Sequence, residues 1–297
     1  MIEELLKCKY LNQCSLFIYT ERDGVDTLKQ FFSSKKTELT TSLVVLGDSN
    51  YTDRVKNAHK SIAEFSCKMD DDVLMSHYVW DFLFESLDKI TSEHPIISPI
   101  FTNGIPSANT FVEDFIERQE DVQTAHNWFL TERIADTEWG LNYTPINEKL
   151  SSMKLWCDRE YWEAVTDINT EWDTRPLPWY YFMVRGVHPA RYSRHYNMFI
   201  ADQIINNKDK FFRKNNYWLD TITAPYFCNN LFVAKTEYWK NSANLFTDGW
   251  DEGQLTLQMK LDNTTPLYIR NGFAIHMAYG MTRNQQEIET YYMQHLT

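Results

Sequence analysis

Short apolar runs alternate with helically spaced apolar positions over the first hundred residues. Apolar positions recur at helical spacing over residues 2 to 9, which predicts a lead-in helix. Ser15-Leu16-Phe17-Ile18-Tyr19-Thr20 is apolar and β-prone and runs into Glu21-Arg22-Asp23-Gly24, which is turn chemistry, so it reads as the first strand. Asp26 can cap a helix running through Leu28, Phe31 and Phe32. Ser42-Leu43-Val44-Val45-Leu46 is then a second buried strand, broken by Gly47-Asp48-Ser49-Asn50. Strand, helix, strand in this order implies a parallel pair with a right-handed crossover. A helix over 53–62 and a third strand over 64–69 follow. Next come an aromatic helical stretch from His77 to Leu87 and a strand over 95–100 that enters the loop Asn103-Gly104-Ile105-Pro106.

Beyond residue 107 the pattern is helix-rich to about 170, with Trp128, Trp139, Trp156 and Trp162 spread through it as packing residues. From Pro176 to Asn197 the chain is dense in ring and guanidinium side chains: Trp179, Tyr180, Tyr181, Arg185, His188, Arg191, Arg194 and His195. Such a cluster either presents stacking faces and donors to a sugar or base, or is an amphipathic core segment with its polar tips in water. Phe227 to Lys235 reads as a late strand followed by a helix around Tyr238 and Trp239. Asp248-Gly249-Trp250-Asp251-Glu252-Gly253 is a turn that opens a helix through Met259. Leu267-Tyr268-Ile269 and Phe273-Ala274-Ile275-His276 read as two strands of a hairpin, with Asn271-Gly272 as the turn between them.

The 297 residues are enough for a full core in a single domain. Aromatics make up 15% of them, against nine Gly and nine Pro, so no long stretch has a disordered composition. With 29 basic and 41 acidic side chains the formal net charge is −12, which argues against non-specific affinity for nucleic acid or an anionic membrane surface. The densest basic cluster, Lys208, Lys210, Arg213 and Lys214, reads as a solvated face. Five scattered cysteines with no Cys-x-x-Cys pair suggest neither a disulfide framework nor a zinc site and point to a reducing compartment. No signal-peptide pattern and no long apolar span is visible, so the chain reads as a cytoplasmic protein without a transmembrane segment.

The chemistry centres on Asp70-Asp71-Asp72, directly after the third strand. Burying an ionised carboxylate without a partner costs several kcal/mol, so three adjacent acids need water or a cation. Ligands of open α/β sheets bind beyond the carboxyl ends of the strands, so Thr20, Asp48 and Asp70 to Asp72 are expected to share one crevice.

Val44-Val45-Leu46-Gly47-Asp48-Ser49-Asn50, the helix from Arg54 that carries Asn57, and Lys68-Met69-Asp70-Asp71-Asp72 resemble motifs of the GT-A nucleotide-sugar glycosyltransferases, above all the inverting family-two group. Trp250-Asp251-Glu252 looks like that family's late acidic motif, and His276 stands where many metal-dependent members place a C-terminal metal-binding histidine. The resemblance implies an α/β GT-A fold, Rossmann-like. Its mixed, mainly parallel central sheet would be flanked by helices, with a helix-rich, aromatic acceptor-side region. Residues 14–100 would bind the nucleotide sugar, and residues 101–297 would bind the acceptor and carry the catalytic base.

The activity so implied is transfer of a sugar from a nucleoside-diphosphate donor, UDP-linked by this pattern, to an acceptor hydroxyl, with inversion. Asp70, Asp72 and His276 would hold Mn²⁺ or Mg²⁺, since carboxylates suit hard cations and an imidazole tilts preference toward Mn²⁺. Thr20, Asp48, Asn57, Asp70 and Asp71 would contact the donor. Asp251 or Glu252 would act as general base, Asp251 being favoured. Trp179, Tyr181, Arg185, His188 and Arg191 are the acceptor-side candidates, for a saccharide or, in a viral enzyme working in its host's cytoplasm, a hydroxymethylated DNA base. Two other classes stand beside this one: a nucleotidyltransferase acting on a sugar phosphate, and a non-catalytic binding protein on the same fold.

Overall fold

The centre of the protein is β5, Ile96–Phe101, in which every residue is buried. In the computed structural model, residues 2–20, 24–35, 40–45, 63–70, 72–103, 107–131, 194–222, 230–242, 255, 258–259, 261–277 and 285–296 are described. Their strands are β1 (Ser15–Thr20), β2 (Thr40–Val45), β3 (Phe65–Met69), β4 (Val73–Met75), β5, β6 (Trp218–Thr221), β7 (Leu231–Lys235) and β8 (Leu267–His276). The helices are α1 (Ile2–Leu5), α2 (Gly24–Lys35), α3 (His77–Glu85), α4 (Ser107–Phe115), α5 (Gln119–Thr131), α6 (Arg194–Asn206), α7 (Lys208–Phe212), α8 (Thr236–Ser242) and α9 (Gln285–Leu296).

β1 and β2 form the parallel pair that the strand–helix–strand order predicts. The other six strands make one sheet in the order β3-β7-β5-β8-β4, with β6 paired to β8. This sheet is mixed rather than mainly parallel: β5 and β8 are parallel, while β3–β7, β5–β7, β4–β8 and β6–β8 are antiparallel. Apolar runs buried on both faces look alike whichever way they are oriented, so the sequence pattern carries no sign of direction.

Strand alternation sorts the core into two layers. Ile96 and Ile100 of β5, Phe232 and Ala234 of β7, and Tyr268, Phe273 and Ile275 of β8 face one cluster, filled by residues such as Phe111, Val112, Tyr196, Ile200 and Ile288 from α4, α6 and α9. Ile97, Phe101, Leu231, Val233, Ile269 and Ala274 face the other, closed by Leu5 of α1 and by Val79, Trp80 and Leu83 of α3. Leu16 of β1 packs against this second layer.

The expected hairpin at Asn271-Gly272 is not formed, because residues 267 to 276 are one strand. β8 pairs with β5 as Pro99↔Ile269 and then Ile100↔Phe273, so Arg270, Asn271 and Gly272 bulge out of the ladder. Asn271 takes a positive φ of 58°, which a hairpin turn and a bulge both accept. Gly272 lies so close to its neighbours that a Cβ would come within 3.0 Å of the Tyr217 ring and 3.1 Å of Val79 Cγ2. Pro99 can occupy a central strand because the ladder is already interrupted at that point. Among the described residues no helix is long and apolar enough to cross a membrane, and Cys8, Cys14 and Cys67 are free thiols.

Candidate active site at one sheet edge

Strand direction brings five strand ends to one edge. β3, β5 and β8 finish there and β7 and β4 begin there, as their pairings require. The edge therefore carries Asp70 after β3, Asn230 before β7, Thr102 and Asn103 after β5, His276 at the end of β8 and Asp72 before β4. Backbone bonds fix the two acids in place: Asp70 N–H donates to Asn230 O at 2.8 Å, and Met277 N–H donates to Asp72 O at 2.7 Å.

These two anchors lie on opposite margins of the sheet. A flat sheet would separate β3 from β4 by four strand spacings, about 19 Å, whereas the connection from Met69 to Val73 reaches about 14 Å at full stretch. The sheet must curl at this edge, which brings Asp70 and Asp72 toward one another.

The side chains converge accordingly. Asp70 Oδ1 pairs with Lys68 Nζ at 2.8 Å, and Lys68 is itself mostly buried. Asp70 Oδ2 accepts from Asn230 Nδ2 at 3.1 Å, and the same amide lies 3.0 Å from His276 Nε2. His276 Nε2 is also 3.5 Å from Asp72 Oδ2. The histidine is 2% exposed, and its Nδ1 is buried with no hydrogen-bond partner among the described residues.

A supporting layer lies beneath. Asn103 Nδ2 donates to His276 O at 3.0 Å, and the Tyr196 hydroxyl donates to Thr102 O at 2.8 Å. Burial pushes the Tyr196 phenol well above its ordinary range, with Tyr292 adding to the effect, so it stays a neutral donor. The Phe101 ring meets the His276 ring edge-on, centroids 6.0 Å apart.

Asp70, Asp72 and His276, three residues singled out in the sequence, are thus neighbours at one edge, the Asn230 amide spanning Asp70 and His276. Among the described residues no three His, Cys, Asp or Glu side chains stand ready as a metal-holding group. Asp70 is drawn toward Lys68 and Asn230, while Asp72 faces His276. Thr20 closes β1 opposite Val45. Asp48, Asn57, Asp71, Trp179, Tyr181, Arg185, His188, Arg191, Asp251 and Glu252 lie outside the described residues. Just past the last two, Leu255 is helical and fully buried in the first core layer.

Two members of the basic cluster have structural partners. Lys210 Nζ donates to Phe115 O at 2.8 Å and lies over the Phe115 ring, and Arg213 Nε donates to Asn215 Oδ1 at 3.2 Å. Lys68, Asn103 and Asn230 escape a reading of the sequence because what marks them is their strand neighbours. Asn230, a polar residue just before β7, is otherwise unremarked. Comparison of the chain with family models, with curated proteins and with solved structures returned no match.

Proposed function

We propose that this chain is a metal-dependent glycosyltransferase that moves a sugar from a nucleoside-diphosphate donor to an acceptor hydroxyl on a GT-A-type sheet. The observation that carries the proposal is the meeting of Asp70, Asp72 and His276 at the edge where the carboxyl ends of β3, β5 and β8 gather.

The donor chemistry fits a divalent cation. Asn230 presents its N–H to Asp70, because the opposite orientation would set an amide oxygen against a carboxylate oxygen. That leaves an N–H facing His276 Nε2, which must then offer its lone pair. His276 Nε2 also lies 3.5 Å from Asp72 Oδ2. Ligands at about 2.0–2.2 Å from Mg²⁺ or Mn²⁺ lie roughly 3 Å apart when adjacent, so a small wedge of positive charge suits this pair. Asp72 and His276 would hold it, the ion taking the place of the Asn230 N–H at Nε2, with Asp70 as the neighbouring oxygen donor.

Such an ion, when bound, offsets charge on the departing diphosphate. The chain's own residues do the rest. Lys68 balances Asp70, Asn230 orients Asp70 and His276, and Asn103 fixes the backbone that carries the imidazole. Asp251 is the first choice of general base, Glu252 the second, and Asp48 the contact to the donor base. The engagement of Lys210 and Arg213 within the fold favours a saccharide acceptor over DNA.

Calorimetric titration with UDP, with and without Mn²⁺, tests this. Metal-dependent binding that Asp72→Ala abolishes, with thermal unfolding unchanged, is the expected result. UDP binding indifferent to both the metal and Asp72, or wild-type donor turnover by Asp72→Ala, overturns it.

A further inference from the structure

A groove of about 270 Å³ lies between α3 and the segment that leads into β6, and it shares no residue with the edge that carries Asp70, Asp72 and His276. One side is a helical stripe. Tyr78, Asp81, Phe82 and Glu85 recur at i, i+3, i+4 and i+7 along α3, so they share a face, while Val79 and Leu83 close the second core layer from the same helix. The other side runs from Lys214 to Tyr217, and Lys9 completes the lining.

The groove combines aromatic rings with a polar rim. Phe82 and Tyr217 are half-buried, packed against the second core layer, with ring centroids 5.5 Å apart and planes tilted by 48°. The Tyr217 hydroxyl donates to Arg213 O at 3.3 Å, which holds that ring in place. Around the rings the charges cancel, Lys9 and Lys214 standing against Asp81 and Glu85. Glu85 pairs with Lys9 and takes the Tyr10 hydroxyl at 3.1 Å, and Asp81 Oδ1 accepts from the Lys9 backbone N–H at 2.9 Å. Three polar ends are left over. The Tyr78 hydroxyl, the Asn216 side-chain amide and the Lys214 ammonium make no hydrogen bond to a described residue, and Lys214 acts on Glu85 through its charge alone.

We propose that this groove is a binding site for a neutral saccharide. Its volume is just below the roughly 300–1,000 Å³ of small-molecule sites, so it takes a small ligand. A balanced rim gives neither an anion nor a cation an advantage, whereas the whole chain carries a formal charge of −12. A sugar ring has apolar C–H faces and a circle of hydroxyls that both donate and accept. The aromatic rings suit the C–H faces, and Tyr78, Asn216 and Lys214 suit the hydroxyls, since a phenol and an amide also do both and an ammonium donates. The tilt between Phe82 and Tyr217 makes a wedge, which a puckered ring fills better than a flat base. The site stands whether or not the sheet edge is catalytic, because none of its residues belongs to that edge.

Saturation-transfer NMR on the full chain tests this, with maltose, cellobiose, lactose and N,N′-diacetylchitobiose as probes. Transfer to the ring C–H protons of at least one disaccharide is expected. Titration of that signal should show affinity falling about 2- to 10-fold in Asn216→Ala and in Tyr78→Phe, the range for one lost hydrogen bond. Phe82→Leu, which keeps an apolar side chain but removes the ring face, should weaken binding by a similar factor. Asn216 and Tyr78 reach the groove with ends that hold no other described group, so thermal unfolding of those two variants should match the wild type. Asp72→Ala should bind the sugar as the wild type does. No transfer to any of the four probes overturns the proposal. So does binding that is lost in Asp72→Ala but kept in the groove variants, because the sugar then sits at the sheet edge. Tighter binding of glucose 6-phosphate or glucosamine than of glucose overturns the choice of a neutral ligand, and tighter binding of adenosine overturns the choice of a sugar. None of these readouts uses UDP or Mn²⁺, so the glycosyltransferase reading fails or survives separately.

Discussion

Removing the carboxylate of Asp114 is expected to destabilise the fold more than removing any exposed acid in the described residues. Arg270, in the bulge of β8, donates from Nε to Asp114 Oδ2 and from Nη2 to Asp114 Oδ1, both at 2.7 Å, which is the two-pronged geometry that favours guanidinium–carboxylate pairs. Its remaining arm donates from Nη1 to Asp220 Oδ2 at 2.9 Å. The three residues come from β8, α4 and β6, so one guanidinium ties two strands to a helix.

Exposure ranks the two bonds. The side chains of Arg270 and Asp114 are 20% and 19% exposed, whereas that of Asp220 is 46% exposed. Stranding one member of a fully buried pair costs about 3–5 kcal/mol, and an exposed pair is worth about 0–1 kcal/mol. Asp114→Ala leaves a mostly buried cation with a half-exposed partner, so a cost of about 2–3 kcal/mol is expected, between those limits. Asp220→Ala is expected to cost under about 1 kcal/mol. Urea unfolding at constant m-value reads these as shifts of the midpoint. A double-mutant cycle of Asp114→Ala with Arg270→Met isolates the pair from the packing that each side chain also makes. A coupling below about 0.5 kcal/mol would refute the argument, because it would place the pair among ordinary surface contacts. Equal costs for Asp114→Ala and Asp220→Ala would refute the ranking by exposure.

Two further outcomes follow from the same kind of reasoning. Glu4 of α1 accepts from the backbone N–H of His77, the first residue of α3, at 3.1 Å, and from the His77 ring at 3.0 Å, and it pairs with Lys7. Burial pushes the Glu4 carboxyl up, but Lys7 and His77 outweigh it and hold the group below the ordinary carboxylate value. A depressed carboxyl stabilises the fold above its unfolded value and loses that contribution as pH falls through the folded one. Glu4→Gln should therefore be less stable than wild type at neutral pH, and the gap should close on acidification when unfolding midpoints are compared across pH; a constant gap would disprove the linkage. Gly272→Ala should cost about 1–3 kcal/mol because the new methyl meets the Tyr217 ring and Val79. Adding Tyr217→Ala should lower the further cost of that methyl in a thermal unfolding series, and an additive pair would show that the close approach is not the cause.

The strands that could be read from the sequence are those whose own side chains specify them. Ser15–Thr20 and residues 96–101 are apolar runs long enough to be strands and bounded by turn chemistry, and both appear where expected, the second shifted by one residue. β4 has three residues and β6 has four, too few for a period to emerge. The same distinction governs the site. Asp70, Asp72 and His276 can be singled out in the sequence because acids and imidazoles advertise their chemistry by residue type; the structure adds that they are neighbours. Asn230 is a common residue 160 positions from Asp70, and it matters because β7 inserts beside β3. Strand order is set by how the whole core packs, and no local window contains it.

Asn271-Gly272 shows most directly how a local signal and a global outcome part. As a hairpin turn it would have reversed the chain. As a bulge it offsets the chain by three residues while preserving its direction. Continuing the first register past Pro99↔Ile269 without the bulge would set Phe273 level with Asn103 and carry His276 three residues, about 10 Å, beyond the edge. Three is odd, so that register would also send the imidazole to the opposite face of the sheet. With the bulge in place, Val73 pairs with His276, the Phe101 ring meets the imidazole edge-on, and Asn103 reaches the His276 carbonyl. The close packing of Gly272 against Tyr217 and the Arg270 clamp on Asp114 both lie within those three residues. They hold the offset that puts His276 beside Asp72. A dipeptide that reads as a place for the chain to turn back is, in this fold, what brings the histidine level with the carboxylates.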